Sequence, residues 1–237
     1  MIKIENVETY GWHHAIRGMR NPMNSWEKSD SRWGYPDLVE KEGFVPAWDK
    51  NGEFCLGPND KELMLKLRNA GTDHRKFMRM ITVYLDITAP LYWWKEFDTY
   101  KVGTVANSCS TMHKIADKEF TMEDFSCEHL IDEAIYEHDG LDLADARIFP
   151  VSILRYTIHA LNVCRNKFLE TKDKKYWWQM IQLLPSSYNQ KRTVMLNYEV
   201  LANIYKSRKD HKLDEWRYFC EWCETLPLSE LIRGEAK

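Results

Sequence analysis

Cys109 lies between two hydroxyls, Ser108 and Ser110, and His113 follows four positions after the thiol. A thiol beside a histidine, or beside a cation such as Lys101, can have its pKa lowered into the range of a working nucleophile. A histidine four residues on comes within reach only where the segment is helical. The same residues admit a plainer reading, a small side chain packed beneath a loop. The run from Gly103 through Thr104, Val105, Ala106, Asn107, Ser108 and Cys109 to Ser110 is rich in hydroxyls and backbone donors, and suits a ligand bearing phosphate or carbonyl oxygens. Cys220 and Cys223 have redox or metal spacing, but they fall within a helical pattern from Leu213 to Thr225 and no second Cys or His pair completes a zinc site. Packing is therefore the expected role of this pair. His13-His14, Glu128-His129 and Glu137-His138 place no two histidines at i, i+4, so no metal centre is expected. Walker, Rossmann and nucleophile-elbow patterns do not occur.

The elements that would position these residues can be read from periodicity. Ile81 to Ile87 alternates Thr82, Tyr84 and Asp86 with apolar neighbours, as a half-buried strand does. Pro90 suits the first turn of a helix that sets Trp93, Phe97 and Tyr100 on one face, with Trp94, Glu96 and Asp98 turned elsewhere. Met1 to Val7 reads as a first strand, followed by a helix through Trp12, Ile16 and Met19 that stops at Asn21-Pro22. Residues 22 to 59 are the least regular part, punctuated by Pro and Gly and carrying Trp26, Trp33, Tyr35 and Trp48, in the manner of a lid, an interface or a surface segment folded onto the core. Asn59 or Asp60 is expected to cap a helix through Leu63 and Leu67 that ends at Gly71. Thr121 opens an acidic helix. Longer helices are expected from about Pro150 to Thr171, with Ile153, Ile158, Leu161 and Phe168 apolar, and from Lys174 to Leu184. A strand from Lys191 to Leu196 precedes closing helices at Asn197–Arg208 and Leu213–Thr225.

The chain has 237 residues, enough to bury a core of its own. Its 33 basic and 36 acidic residues leave a net charge of -3 with no sustained basic tract, which argues against a nucleic-acid partner. No apolar run reaches membrane-spanning length and the first residues lack a signal-peptide core, so a cytoplasmic protein with no membrane partner is expected. Most of the six scattered cysteines are expected to be free and buried.

Two blocks resemble the flavin-dependent thymidylate synthase family. The family signature runs Arg-His-Arg-x-x-Ser-x-Asn-Glu-x-Ser-x-Arg-Tyr after a strand and a helix. Asn107 and Ser110 stand where it has Asn and its second Ser, while Ser108, Met112 and His113 replace Glu, Arg and Tyr. The Arg-His-Arg triplet falls on Asp98 to Lys101 and keeps at most the charge of Lys101. In the second block, Leu184, Pro185, Asn197, Leu201, Asn203, Arg208 and Asp210 keep the family register without a gap, and two nucleotide-contacting arginines fall on Ile181 and Glu199. A weaker echo is the helix before Gly71 and His74. The resemblance covers roughly residues 60 to 225.

It implies an α/β (α+β) fold: a small, mostly antiparallel sheet surrounded by helices, as one domain over residues 1–237, assembled as a homotetramer. It also implies FAD and a reduced folate as cofactors, and a pyrimidine nucleotide held by Lys101, Asn107, Ser108, Ser110, His113, Arg192, Asn197, Glu199 and Arg208. Two function classes stay open. One is a flavin-dependent methyltransferase of thymidylate biosynthesis, acting on deoxyuridylate or a related pyrimidine nucleotide. The other is a binding or regulatory scaffold of the same fold, without catalysis. Sites for phosphate anions are normally built from Arg forks, Lys and helix-start amides, and Ile181 and Glu199 supply no cation, so the second class gains weight.

Overall fold

The structure is a computed structural model that describes residues 1–34, 45–47, 54–137 and 146–234. It divides into two compact units. Met1, Thr88–Lys95 and Ser108–Lys191 form the first, and Ile2–Ile87, Glu96–Asn107 and Arg192–Lys237 the second.

Most residues of a four-stranded sheet, in the order β1 (Lys3–Tyr10), β5 (Thr82–Pro90), β9 (Asn189–Asn197), β6 (Val105–Ser108), belong to the second unit. It is the small, mostly antiparallel sheet with surrounding helices that the sequence implied, and the two predicted strands, within β5 and β9, lie side by side in it. Alternation explains β5: Val83, Leu85 and Ile87 are buried and Tyr84 is exposed, one face to the core and one to solvent. Helix α1 (Trp12–Arg20) buries Trp12, Ala15, Ile16 and Met19, a stripe at i, i+3, i+4 and i+7. Gly11 opens it at φ 90, where an added Cβ would sit 2.0 Å from the Met80 carbonyl oxygen, so only glycine fits this crossing. Helices α7 (Tyr198–Arg208), α8 (Asp214–Glu224) and α9 (Glu230–Arg233) complete the unit, with Tyr198, Leu201, Ile204, Trp216 and Phe219 fully buried. Cys220 and Cys223 are buried on α8, as packing requires; burial pushes both thiols up, Cys220 to about 12.

Helix α2 (Pro58–Asn69) corrects one expectation. Neither Asn59 nor Asp60 caps it. Gly57 is the N-cap residue, and the Asp30 carboxylate accepts from the Asn59 and Asp60 amides at 2.8 and 3.1 Å. Asp60 is instead fully buried against Arg20, whose Nε donates at 2.7 Å, and it also accepts from the Ser29 and Ser31 hydroxyls, both at 2.6 Å. Part of the supposedly irregular segment forms a small antiparallel sheet, with β4 (Phe54–Leu56) between β2 (Arg32–Trp33) and β3 (Val45–Ala47). Trp26 and Trp33 are exposed; Tyr35 and Trp48 lie outside the described residues.

The first unit packs α5 (Pro150–Thr171) and α6 (Lys174–Leu183) around Ile115, Ala116, Phe120, Phe125, Leu154, Ile158, Leu161 and Met180. Leu154 takes the inward place expected of Ile153, which is 55% exposed. Trp94, on α3 (Leu91–Phe97), is as buried as Trp93, because its indole N–H finds the Gln190 carbonyl at 2.9 Å. Pro90 ends β5 rather than opening the helix. The acidic helix at Thr121 shrinks to a single 3-10 turn, Met122–Asp124: Thr121 and Asp124 do close a capping box, but Phe125 turns extended and bridges to Tyr188. A two-stranded ribbon, β7 (Ile135–Glu137) with β8 (Ala146–Ile148), precedes α5.

Candidate functional site

The run from Gly103 to Ser110 is not the open loop expected. Its middle, Val105–Ser108, is β6, an edge strand of the sheet, and a four-residue helix, α4 (Thr111–Lys114), follows Ser110 directly. Ser110 is held at the junction, its Oγ accepting from the His113 amide at 3.1 Å. The Cys109 amide donates to the Lys191 carbonyl at 3.0 Å, and the Gln190 side-chain amide donates to the Cys109 carbonyl at 2.9 Å. The backbone around the thiol is therefore pinned to the start of β9. Cys109 itself is exposed, against the reading of a buried packing residue. Among the described residues no hydrogen bond joins it to His113.

These residues wall a cavity of about 460 Å³ in the first unit, lined by Thr88, Cys109, Ser110, Lys114, Lys118, Phe120, Asp124, Tyr188 and Lys191, among others. One wall is aromatic: Phe120 and Tyr188 meet edge to face at 6.2 Å. The other is charged, with Lys114 paired to Asp117 at 2.9 Å and Lys118 paired to Asp124. Burial, and next the Asp124 charge, push the Tyr188 phenol up, so it serves there as a neutral hydroxyl. The lining balances Lys114, Lys118 and Lys191 against Asp117, Glu123 and Asp124, which suits a polar ring or a singly charged group better than a bare polyanion.

The second unit has a hollow of about 350 Å³ lined by Phe97, Asp98, Tyr100, Lys101, Thr104, Ala106 and Arg192. Lys101 and Arg192, both singled out from the sequence, meet here. Lys101 is exposed and has no ion pair among the described residues; Arg192 donates to Asp98 at 2.7 Å. Arg208 reaches the hollow's edge through Tyr100, donating from Nε to the phenol oxygen at 2.9 Å. Its main partner is Glu96, at 2.6 Å, which also accepts from the Trp216 indole at 2.9 Å, and the guanidinium lies 4.8 Å from the centre of the Trp216 ring. Asn197 caps α7, accepting from the Val200 amide at 3.1 Å. Gly103, at φ 80, packs so closely on Asn197 that an added Cβ would come within 2.8 Å of its amide nitrogen. Asn107 lies exposed on β6; neither it nor Ser108, nor His113, lines either depression.

Glu199 does something no local pattern indicates. It accepts from Arg75 Nε at 3.3 Å and from Arg79 Nε, residues 124 and 120 positions away on a 3-10 helix, Arg75–Met80. Burial alone would raise this carboxyl, but Arg79 and Arg75 together hold it below the usual carboxylate range. The sign follows. A depressed carboxylate adds stability that is complete above its unfolded pKa of about 4.3 and is lost as pH falls through the folded value. Glu199→Gln is expected to lose about 1.5–3 kcal/mol at pH 7. The gap to the parent protein should close near pH 3 in urea titrations run at both values; an equal gap at both would show that the charge contributes nothing.

Among the described residues no group of His, Cys, Asp or Glu is placed to hold a metal ion, and no helix is long and apolar enough to cross a membrane. No family model and no curated protein matches the chain. Solved structures do. A crystal structure of the flavin-dependent thymidylate synthase ThyX from Helicobacter pylori complexed with FAD and dUMP is similar over 98% of this chain and 100% of its own, with a TM-score of 0.62 and 16% identity. A second, of thymidylate synthase X from the same organism with FAD and dUMP, has equal coverage and TM-score at 14% identity. Over almost its whole length, this chain has a ThyX-like fold.

Proposed function

We propose that this protein binds a pyrimidine nucleotide, a flavin, or both, on a ThyX-like scaffold, and that it is weak or inactive in the methylation of dUMP to dTMP. The observation that carries the reading is the full-length likeness of fold to structures containing FAD and dUMP. In support, Ser110 lines the aromatic-walled cavity of the first unit and Lys101 and Arg192 line the hollow of the second. By resemblance, the proposed binding residues are Ser108, Ser110 and His113 in the first unit and Lys101, Asn107, Arg192, Asn197, Glu199 and Arg208 in the second, within a single-domain, cytoplasmic homo-oligomer, a tetramer by resemblance.

The donor set fits one phosphate better than a flavin pyrophosphate. Arg192 and Arg208 are held by Asp98 and Glu96, and Lys101 is the hollow's cation without an ion pair among the described residues. The second reading, a binding or regulatory scaffold, is favoured by the same commitments: Asn197 caps a helix and Arg208 is an internal ion-pair partner.

Two measurements test the proposal. The visible spectrum of freshly purified protein should reveal flavin, and calorimetry should reveal dUMP binding. Lys101→Glu is expected to weaken dUMP tenfold or more, since one charge-assisted hydrogen bond is worth about 1.5–3 kcal/mol. A protein that arrives colourless, takes up no added FAD and ignores millimolar dUMP would refute the reading.

A further inference from the structure

We propose that the outer face of α5 is a self-complementary docking surface, covered in solution by the same helix of a second copy of this chain running antiparallel to it. The inference names the contact behind the homo-oligomer of the reading above, rests on that part of it, and needs neither nucleotide nor flavin. Helix α5 carries apolar residues on two opposite sides. Leu154, Ile158 and Leu161 are buried in the first unit's core, with Phe168 packed against it. On the other side lie Ile153, Tyr156, Ala160 and Val163, spaced three, four and three apart, with Phe149 four positions before them. Ile153 is 55% exposed, Tyr156 75% and Val163 47%. A helix that only covers one core needs a single apolar stripe. A second stripe with this alternating spacing is the seam that two helices bury against each other.

The stripe complements itself about a two-fold axis, the commonest symmetry of soluble oligomers. With the helices antiparallel and the axis level with Ile158, Ile153 faces the partner's Val163 and the large Tyr156 faces the partner's small Ala160. Phe149 faces the partner's Lys167, whose methylene stem covers the ring. Each large ring therefore meets a gap or a flexible stem. Charge favours the same direction: Glu170, in the last turn of α5, comes beside the positive start of the partner's helix. A parallel pair would instead set Tyr156 on Tyr156 and Lys167 on Lys167. Lys167 and Glu170, paired with each other at 2.8 Å, close the seam at its polar end. The helix has 22 residues, so the seam runs for about 33 Å, three heptads in all. Tyr156, near its middle, is the kind of large ring that anchors an interface.

The test is sedimentation equilibrium of the full chain at several concentrations. The parent should have the mass of at least two chains of 28.3 kDa. Tyr156→Glu should halve that mass with the circular dichroism spectrum unchanged, because the ring it removes is exposed in the single chain. Ala160→Tyr, which sets ring against ring, should do the same. The exchange of both, Tyr156→Ala with Ala160→Tyr, moves ring and gap together and should restore the parent mass. A monomeric parent, a Tyr156→Glu variant of parental mass, or an exchange variant that stays halved overturns the seam. A parent that sediments as one chain and is carried down by phosphatidylserine vesicles, with Tyr156→Glu left behind, makes the face a lipid surface and rejects the second copy. The nucleotide reading fails separately. A parent of two or more chains that ignores dUMP and FAD keeps the seam and rejects that reading, and a single chain that binds dUMP does the reverse.

Discussion

Asp60→Ala is expected to destabilise the second unit by about 3–5 kcal/mol, the usual cost of removing one partner from a buried pair. Arg20 would be left 5% exposed with its carboxylate gone, and the Ser29 and Ser31 hydroxyls would lose their common acceptor. In a chain of this size each kcal/mol moves the unfolding midpoint by roughly 2–4 °C, so thermal unfolding followed by circular dichroism should shift by roughly 10 °C. Burial opposes the ionised form of Asp60, but hydrogen bonds from Ser29, Ser31 and Arg20 win, and its pKa is lowered. The contribution is thus complete above pH of about 4 and is lost as pH falls through the folded value. A double change, Asp60→Leu with Arg20→Met, should recover part of the loss, because it leaves no unpaired buried charge. A midpoint shift of the single variant under about 2 °C would show that the pair is dispensable.

The other large effect concerns catalysis. The intact gene is expected not to relieve the thymidine requirement of a thymidylate-deficient strain, and purified protein should show no more than roughly a thousandth of the activity expected of a complete site. Three lost charge-assisted contacts at about 1.5 kcal/mol each give that factor. On the proposed resemblance, the losses fall at Ile181, at Glu199 and in the triplet reduced to Lys101. The structure adds that back-substitution will not repair them. Ile181 is partly buried against the first unit's apolar core, so Ile181→Arg would give up that apolar contact and partly desolvate a charge. Glu199→Arg would set a third guanidinium against Arg75 and Arg79. Both variants should therefore lose stability before gaining activity. Robust growth supported by the unaltered protein would show that other cations have rebuilt the site, and would overturn the expectation.

The sequence by itself determined the elements whose signal is periodic and local. The helix Pro150–Thr171 has the bounds expected of it, Lys174–Leu183 stops one residue short, and the strands around Ile81–Ile87 and Lys191–Leu196 are present and adjacent. Each is specified by side chains within one or two turns or one strand length, so a short window of residues contains the cause. The sequence also carried enough ordered motif positions to indicate the fold, though too few cations to indicate a working site. Tertiary structure decided what depends on partners distant in the chain. Asp30 caps a helix that begins 28 residues later. Glu199, which by position alone reads as a charge reversal, is enclosed by two arginines from more than a hundred residues upstream. Lys101 and Arg192 share a hollow because β6 and β9 are neighbours in the sheet. A charge has no periodicity that names its counter-ion, and a polar residue gives no local sign of whether it will cap a helix, pair with an ion or face solvent. Those choices are made by the packing of the sheet and helices, after local structure is already set.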